Sequence, residues 1–304
     1  MLYILCNPTA GGGRAREVLK RLQAHLDARG LQAEVGFSEY HGHTPKLIAE
    51  AVARGHRRIF TLGGDGTISE AVNGLAAVGR LGDVALGFLP GGTGNDFTRN
   101  LGLPQDVLEA FDALHDGQEQ RLDLWQANEQ YFVNVFGLGL DTALDGWARR
   151  TKKVLRGMPA YIAALFLTLI GFRFPRIRLT VDGRVLERQI TVLTASNGRY
   201  YGGGIDVAPP ARLQDGRLHL VLIQKVWKPK VPLLLSKYIV GKHLTEVREC
   251  EYMTAQTVTL EADADQFCES DGELILRPPV TIRPAVERLL AMVPKSWNTQ
   301  PEVG

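Results

Sequence analysis

Apolar positions in the first part of the chain alternate between two periods. Residues 2–6 form an apolar run of strand length, and residues 14–29 then set Val18, Leu19, Leu22 and Leu26 at helical spacing until Gly30 ends the pattern. The exchange repeats as a strand at 32–37, a helix at 44–54 carrying Leu47, Ile48, Ala51 and Val52, and a buried strand at 58–62. A helix at 67–75, a strand at 84–89 and a helix at 107–114 complete the series. Such alternation predicts a parallel sheet covered on both faces. Ligands of such sheets sit outside the carboxyl ends of the strands, so the loops there carry the chemistry.

Past Asp123 the texture changes. Runs at 131–135, 176–181, 189–194, 218–223, 257–261, 273–276 and 280–282 are short, β-branched and separated by Gly, Pro and Asp turns. They predict an all-β sandwich interrupted by one apolar helix near residue 165. The fold class is therefore α/β plus all-β, with residues 1–124 and about 286–304 in the α/β part and 125–285 in the sandwich. No Pro- or Ser-rich linker marks the boundary, so a tight interface with an intervening cleft is expected.

Composition narrows the class. A chain of 304 residues, 45% hydrophobic and 22% charged, makes one large or two medium globular domains and is neither collagenous, coiled-coil nor disordered. A formal charge of +2 excludes nucleic acid as the main partner, because a duplex binder neutralising many phosphates carries a larger basic excess. Cys6, Cys250 and Cys268 are too few and too widely spaced for a disulfide framework or a CxxC metal site, and no basic leader with an apolar core opens the chain. A cytoplasmic protein is expected.

One apolar stretch bears on membranes. Residues 158–172 would span about 22 Å as a helix, against the roughly 30 Å and 20 residues that a bilayer requires. Arg149, Arg150, Lys152, Lys153 and Arg156 precede it, and Arg173, Arg176 and Arg178 follow. The segment reads either as a core helix with a solvated basic end or as a face that lies on an anionic membrane, with Trp147 and Trp227 as interfacial anchors.

Three Gly-rich segments follow predicted strands of the first part. In Asn7-Pro8-Thr9-Ala10-Gly11-Gly12-Gly13, successive N–H groups can face a phosphate at a helix N-terminus, although a tight turn explains the segment equally well. Gly63-Gly64-Asp65-Gly66-Thr67 adds an acid that a structural turn does not need. An acid held among backbone donors beside a phosphate serves to orient a metal ion or a loop touching one. Gly91-Gly92-Thr93-Gly94-Asn95-Asp96 supplies a second acid, with capping of a short helix as the alternative use of Asp96.

These three motifs, in this order and spacing, resemble the diacylglycerol kinase catalytic-domain family, the bacterial lipid kinases related to sphingosine and ceramide kinases. The likeness covers essentially the whole chain. It implies an N-terminal α/β nucleotide-binding domain and a C-terminal β-sandwich, with ATP in the cleft between them. It also implies nucleotide contacts at Asn7, Pro8, Thr9, Ala10 and Gly11, at Gly63, Gly64, Asp65, Gly66, Thr67, Ile68 and Ser69, at Thr93, and at a hydroxyl after the second strand, here Ser38, where the family more often has Thr. The stretch Leu213-Gln214-Asp215-Gly216-Arg217 resembles the family's second-domain signature, which implies a structural Mg²⁺ on Asp215 and the main-chain carbonyls of Arg212 and Arg217. On residues alone this is an Asp-Gly hairpin.

Glu269-Ser270-Asp271-Gly272-Glu273 is the remaining acidic cluster. Phosphorylating an alcohol needs a base near the hydroxyl and neutralisation of the transferred phosphoryl group. The resemblance matches Glu273 to the base and Asp271 to its close neighbour, and adds Asp65 and Asp96 to the catalytic acids. The expected reaction transfers the γ-phosphate of ATP, with Mg²⁺, to a lipid hydroxyl. Diacylglycerol giving phosphatidic acid is the leading case, catalysed by an enzyme transiently peripheral at the inner membrane face. NAD kinase, which shares the Gly-Gly-Asp-Gly-Thr loop, and a non-catalytic nucleotide- or membrane-binding module of the same fold are the alternatives. The residues leave oligomeric state open, homodimer included.

Overall fold

The computed structural model describes residues 1–140, 142, 168–169, 171–263 and 266–297. Its first part runs β1 (Leu2–Cys6), α1 (Ala15–Ala28), β2 (Ala33–Phe37), α2 (Thr44–Ala53), β3 (Arg58–Gly63), α3 (Asp65–Ala77), β4 (Ala85–Pro90), α4 (Asp96–Asn100), α5 (Val107–His115) and β5 (Gln118–Leu122). The helical spacing read from the sequence is what packs: α1 buries Ala15, Leu19, Leu22 and Leu26, and α2 buries Leu47, Ile48 and Ala51. The start of α5 is set by Asp106, whose carboxylate accepts from the N–H groups of Leu108 and Glu109.

The second part begins with β6 (Trp125–Ala127), β7 (Gln130–Phe132), β8 (Val135–Gly139), β9 (Arg176–Val181), β10 (Arg184–Ser196), β11 (Tyr200–Tyr201), β12 (Ile205–Asp206) and β13 (Leu218–Gln224). It continues with α6 (Val231–Ile239), α7 (His243–Glu246), β14 (Cys250–Ala255), β15 (Val258–Ala262), β16 (Cys268–Ser270), β17 (Glu273–Leu276) and β18 (Val280–Pro284). The last strand, β19 (Leu289–Val293), returns to the first sheet.

That first sheet has the order β2-β1-β3-β4-β19-β5. The strands from β2 to β19 are parallel, and β19 closes antiparallel on β5. The second part is two antiparallel layers sharing β10. Residues 184–189 of that strand pair with β9, its register shifts between Ile190 and Val192, and the remainder pairs with β8 and β13. A bulge lets one strand serve both layers of a sandwich. Trp125, Phe132, Phe136 and Leu220 fill the space between them.

Several elements differ from the pattern reading. The run at 131–135 is two strands, because the N–H groups of Val133 and Asn134 leave the ladder and bond the Asp271 carboxylate. The run at 189–194 is the second half of the longer β10, and α6, α7 and β14 were not predicted. The helix expected near residue 165, with Trp147 and the basic residues 149–156, lies outside the described residues. Leu169 and Phe172, at its far end, are buried in a third cluster with Val231, Leu234, Leu235 and Tyr238. Cys6 and Cys268 are buried and Cys250 is half-buried, none of them in a disulfide.

Four asparagines join the two parts. Asn197, fully buried, donates to the carbonyls of Asp123 and Val133 and accepts from Trp125 Nε1 at 3.1 Å. Asn134 donates to Tyr200 O and accepts from Asn100 Nδ2, while Asn100 Oδ1 accepts from the N–H of Arg199. Asn73 of α3 exchanges two hydrogen bonds with the main chain of Tyr131. Buried amides bonded on both ends fix a rigid interface, since each lost partner leaves an unsatisfied polar group. Asn197→Ala strands one donor and two carbonyls, so thermal unfolding should show a loss of about 2–4 kcal/mol. A change below about 0.5 kcal/mol would remove Asn197 from the interface account.

Candidate active site

The Gly-rich loops leave β1, β3 and β4 at adjacent carboxyl ends and touch one another. A Cβ on Gly92 would meet Gly64 Cα at 2.5 Å, and one on Gly91 would meet the Gly63 nitrogen at 2.9 Å. These are backbone-to-backbone clashes, which explains why both loops carry glycine pairs. Asn7 Oδ1 accepts from the N–H and hydroxyl of Thr9, and its Nδ2 donates to Thr67 Oγ1. The result is a cleft of about 460 Å³ over the start of α3, where Gly64 is the N-cap and the first amides are open to an anion.

Of the sequence-predicted residues, Asn7, Thr9, Ala10, Gly11, Ser38, Gly64, Gly66, Thr67, Thr93 and Glu273 line this cleft. Pro8, Gly63, Ile68 and Ser69 do not. Ile68 and Ser69 turn into the interior from α3, and Gly63 sits beneath the Thr67 side chain.

The two acids of the first part lie just beneath. Asp65 Oδ1 accepts from the N–H of Asp96 at 3.0 Å and of Phe97 at 3.2 Å. Asp96 is buried and accepts from Gly203 and Gly204 at 2.8 and 2.6 Å. Asp96 therefore does not cap its own helix, whose N-cap is Asn95 at φ +55°. Burial raises the Asp96 carboxyl above the usual range. The Gly203 N–H pulls it back, the neighbouring Asp65 charge raises it further, and Gly204 and Arg99 favour the ionised form.

In the second part, Asp271 and Gly272 both have positive φ, at +50° and +86°. They form the two-residue turn between β16 and β17, with Ser270 opposite Glu273. The Asp271 carboxylate does not enter the cleft. It accepts from Val133, Asn134 and Val135 N–H at 2.9–3.0 Å, and burial pushes it up to about 7 against those three donors. Glu273 does face the cleft, near enough that a Cβ on Gly66 would stand 3.3 Å from its Oε1. His41, which sequence reasoning places in a loop either solvated or at the nucleotide's edge, lines the cleft, with Nε2 3.6 Å from Glu273 Oε2 and Nδ1 3.0 Å from Glu70 Oε1. Sequence reasoning missed Glu70.

Asp215, Arg212 and Arg217 stand apart from this cleft, on a second cavity of about 680 Å³ that they share with Arg99 and Arg199. Asp215 Oδ1 accepts from the Arg217 N–H, and Oδ2 is 2.8 Å from His219 Nε2. Asp123, also missed by sequence reasoning, holds this loop by accepting from Gly216 N–H and donating to Leu213 O, with Arg288 paired to it at 3.0 Å. Among the described residues no three His, Cys, Asp or Glu side chains converge as a metal cluster. One carboxylate on a roomy cavity fits a hard cation that keeps several waters, and does not fit zinc.

Removing the Asp96 carboxylate should free the two glycine amides it holds. In Asp96→Ala, amide exchange at Gly203 and Gly204 is expected to speed up at least tenfold, with a lower melting temperature. Unchanged protection at both amides would contradict the geometry.

Comparison with known proteins matches this arrangement over the whole chain. The family described as Diacylglycerol kinase catalytic domain matches residues 1–127, and the YegS C-terminal NAD kinase beta sandwich-like domain matches residues 134–295. A diacylglycerol kinase of Mycobacterium tuberculosis is 31% identical over 289 residues, covering 90% of this chain and 91% of that protein. One from Bacillus subtilis (strain 168) is 29% identical over 271 residues, covering 89% and 88%. A crystal structure of a diacylglycerol kinase from Bacillus anthracis str. Sterne superposes with a TM-score of 0.75 at 26% identity, covering 96% of each chain. The chain belongs to the diacylglycerol kinase catalytic-domain family, a family of lipid kinases that use ATP.

Proposed function

We propose that this protein transfers the γ-phosphate of ATP to the free hydroxyl of diacylglycerol, giving phosphatidic acid, with Glu273 as the general base. The observation that carries the reading is the meeting of Glu273, from the sandwich, with Gly64, Gly66 and the Thr67 side chain at the start of α3 in one cleft. Phosphoryl transfer needs little covalent chemistry from the protein. It needs the nucleotide's phosphates fixed, the attacking hydroxyl in line, and somewhere for its proton to go.

The three loops bind the phosphates through backbone N–H groups and the side chains of Asn7, Thr9 and Thr93. Ser38 contacts the nucleotide's edge. Mg²⁺ bound with ATP would neutralise charge on the transferred group. Asp65 orients the loops around it, and Asp96 locks α4 to the Gly203-Gly204 turn. Glu273 takes the proton as the lipid oxygen bonds to phosphorus and ADP leaves. Asp271 serves by position: its three main-chain bonds hold the turn from which Glu273 projects. A structural Mg²⁺ on Asp215 and the carbonyls of Arg212 and Arg217 would stiffen the loop that Asp123 anchors.

Turnover of labelled ATP against a panel of lipid alcohols and NAD tests the reading. Transfer to diacylglycerol is expected, and transfer to NAD alone, or to nothing, would overturn it. Glu273→Gln should lower turnover about 10²–10⁴-fold with its melting temperature intact. Chelation should lower the melting temperature of the wild type and leave that of Asp215→Ala unmoved; equal shifts in both would exclude an ion there.

A further inference from the structure

Outside the cleft one surface differs chemically from the rest. Residues 225–242 contain five lysines, at 225, 228, 230, 237 and 242, and no acid. This stretch holds the single turn Lys228–Lys230 and then α6. The helix buries Val231, Leu234, Leu235 and Tyr238, yet its opposite side is not polar. Leu233 is 64% exposed, and Val240, the residue that ends the helix, is 58% exposed. Trp227, where the helical turn begins, is 72% exposed. Isolated exposed apolar residues are ordinary, but an aromatic and two aliphatics exposed within one short lysine-rich stretch are not.

We propose that this face lies on an anionic bilayer, with Trp227, Leu233 and Val240 in the interfacial layer and the lysines against lipid phosphates. The charge pattern argues for that occupant: a low-charge chain concentrates cations around an apolar patch with tryptophan at its edge, the composition of an interfacial helix. Glu246 offsets part of this charge by pairing with Lys237 and Lys242. Lys230, on the N-terminal side, lies farther along the chain from that acid, and Lys225 stands over the Phe174 ring at 5.7 Å.

The inference rests on the lipid kinase reading and tells how its acceptor arrives. β12 packs on α6, and the Gly203-Gly204 pair that grips Asp96 immediately precedes β12. Tyr201 packs on the cluster beneath α6 and its hydroxyl bonds Glu269, which lies two residues from Asp271. The docking face is thus one packed layer from the acids, and the patch involves residues distinct from the basic run at 149–156.

The experiment measures partitioning of the full chain, without nucleotide, onto phosphatidylcholine vesicles with and without phosphatidylglycerol. Binding is expected only to the anionic vesicles. Both Trp227→Ser with Leu233→Ser and Lys230→Glu should weaken it about tenfold or more at unchanged melting temperature. Phosphorylation of a monomerically dispersed short-chain diacylglycerol should be unaffected in both variants, while activity on vesicles falls. Equal binding to neutral vesicles, undiminished binding by both variants, or a shift in oligomeric state with vesicle binding retained would overturn the proposal, the last by assigning the patch to a second copy of the chain. Because partitioning needs no ATP, a failed kinase assay would leave its result standing.

Discussion

The arrangement depends on one buried carboxylate reaching across two folding units. Asp96 projects from α4 of the first unit and accepts the N–H groups of Gly203 and Gly204 in the second. Asp65 accepts the N–H groups of Asp96 and Phe97, so the acids form a relay from carboxylate to amide to carboxylate. Burial disfavours the Asp96 charge, and the neighbouring Asp65 charge adds to the cost. The Gly203 and Gly204 N–H groups offset it, with a smaller share from Arg99, which does not line the cleft. The solution limits the residues allowed nearby: a Cβ on Gly94 would stand 2.9 Å from Asp65 Oδ2, and Gly203 and Gly204 adopt φ of +87° and +102°.

The Asp-Gly turn at 271–272 dissolves a choice that the sequence poses, between a hairpin and a catalytic element. It is a hairpin, with both central residues left-handed, and the hairpin is what aims Glu273. The Asp271 side chain ties the turn to the start of β8, where Val133 and Asn134 have left the ladder. A one-residue slip of β17 would send Glu273 to the other face of its strand, so this anchor fixes which face the carboxylate takes.

Much of the first unit was legible because period and punctuation agree there. The apolar stripes of α1 and α2, Gly30 ending the first helix pattern, and the loops after β1, β3 and β4 all declare themselves locally. The sandwich was legible as strands but not as pairings, since β10 changes partners at a bulge that no local pattern announces. Asn73, Asn100, Asn134 and Asn197 were invisible for the same reason: an asparagine's meaning lies in partners up to 100 residues away. Likewise, Asp215 was legible as a turn acid, but its contact with His219, itself within bonding distance of the Tyr252 hydroxyl, emerges only when β13 pairs with β14.

A net charge of +2 conceals a segregation with consequences for orientation. Asp65, Asp96, Asp271 and Glu273 converge between the two units, while the lysines of residues 225–242 flank α6 in sequence. At physiological ionic strength charges are felt over roughly 8 Å, so an approaching surface senses the local collar and not the total. An anionic ligand entering the cleft faces the opposite problem, a floor already carrying acids. It can bind only where amide dipoles outweigh them, which is the position of the first turn of α3. The same near-neutral chain can thus meet two anionic partners by different means: exposed lysines attract one from solvent, and oriented backbone admits the other to a site whose side chains alone would repel it.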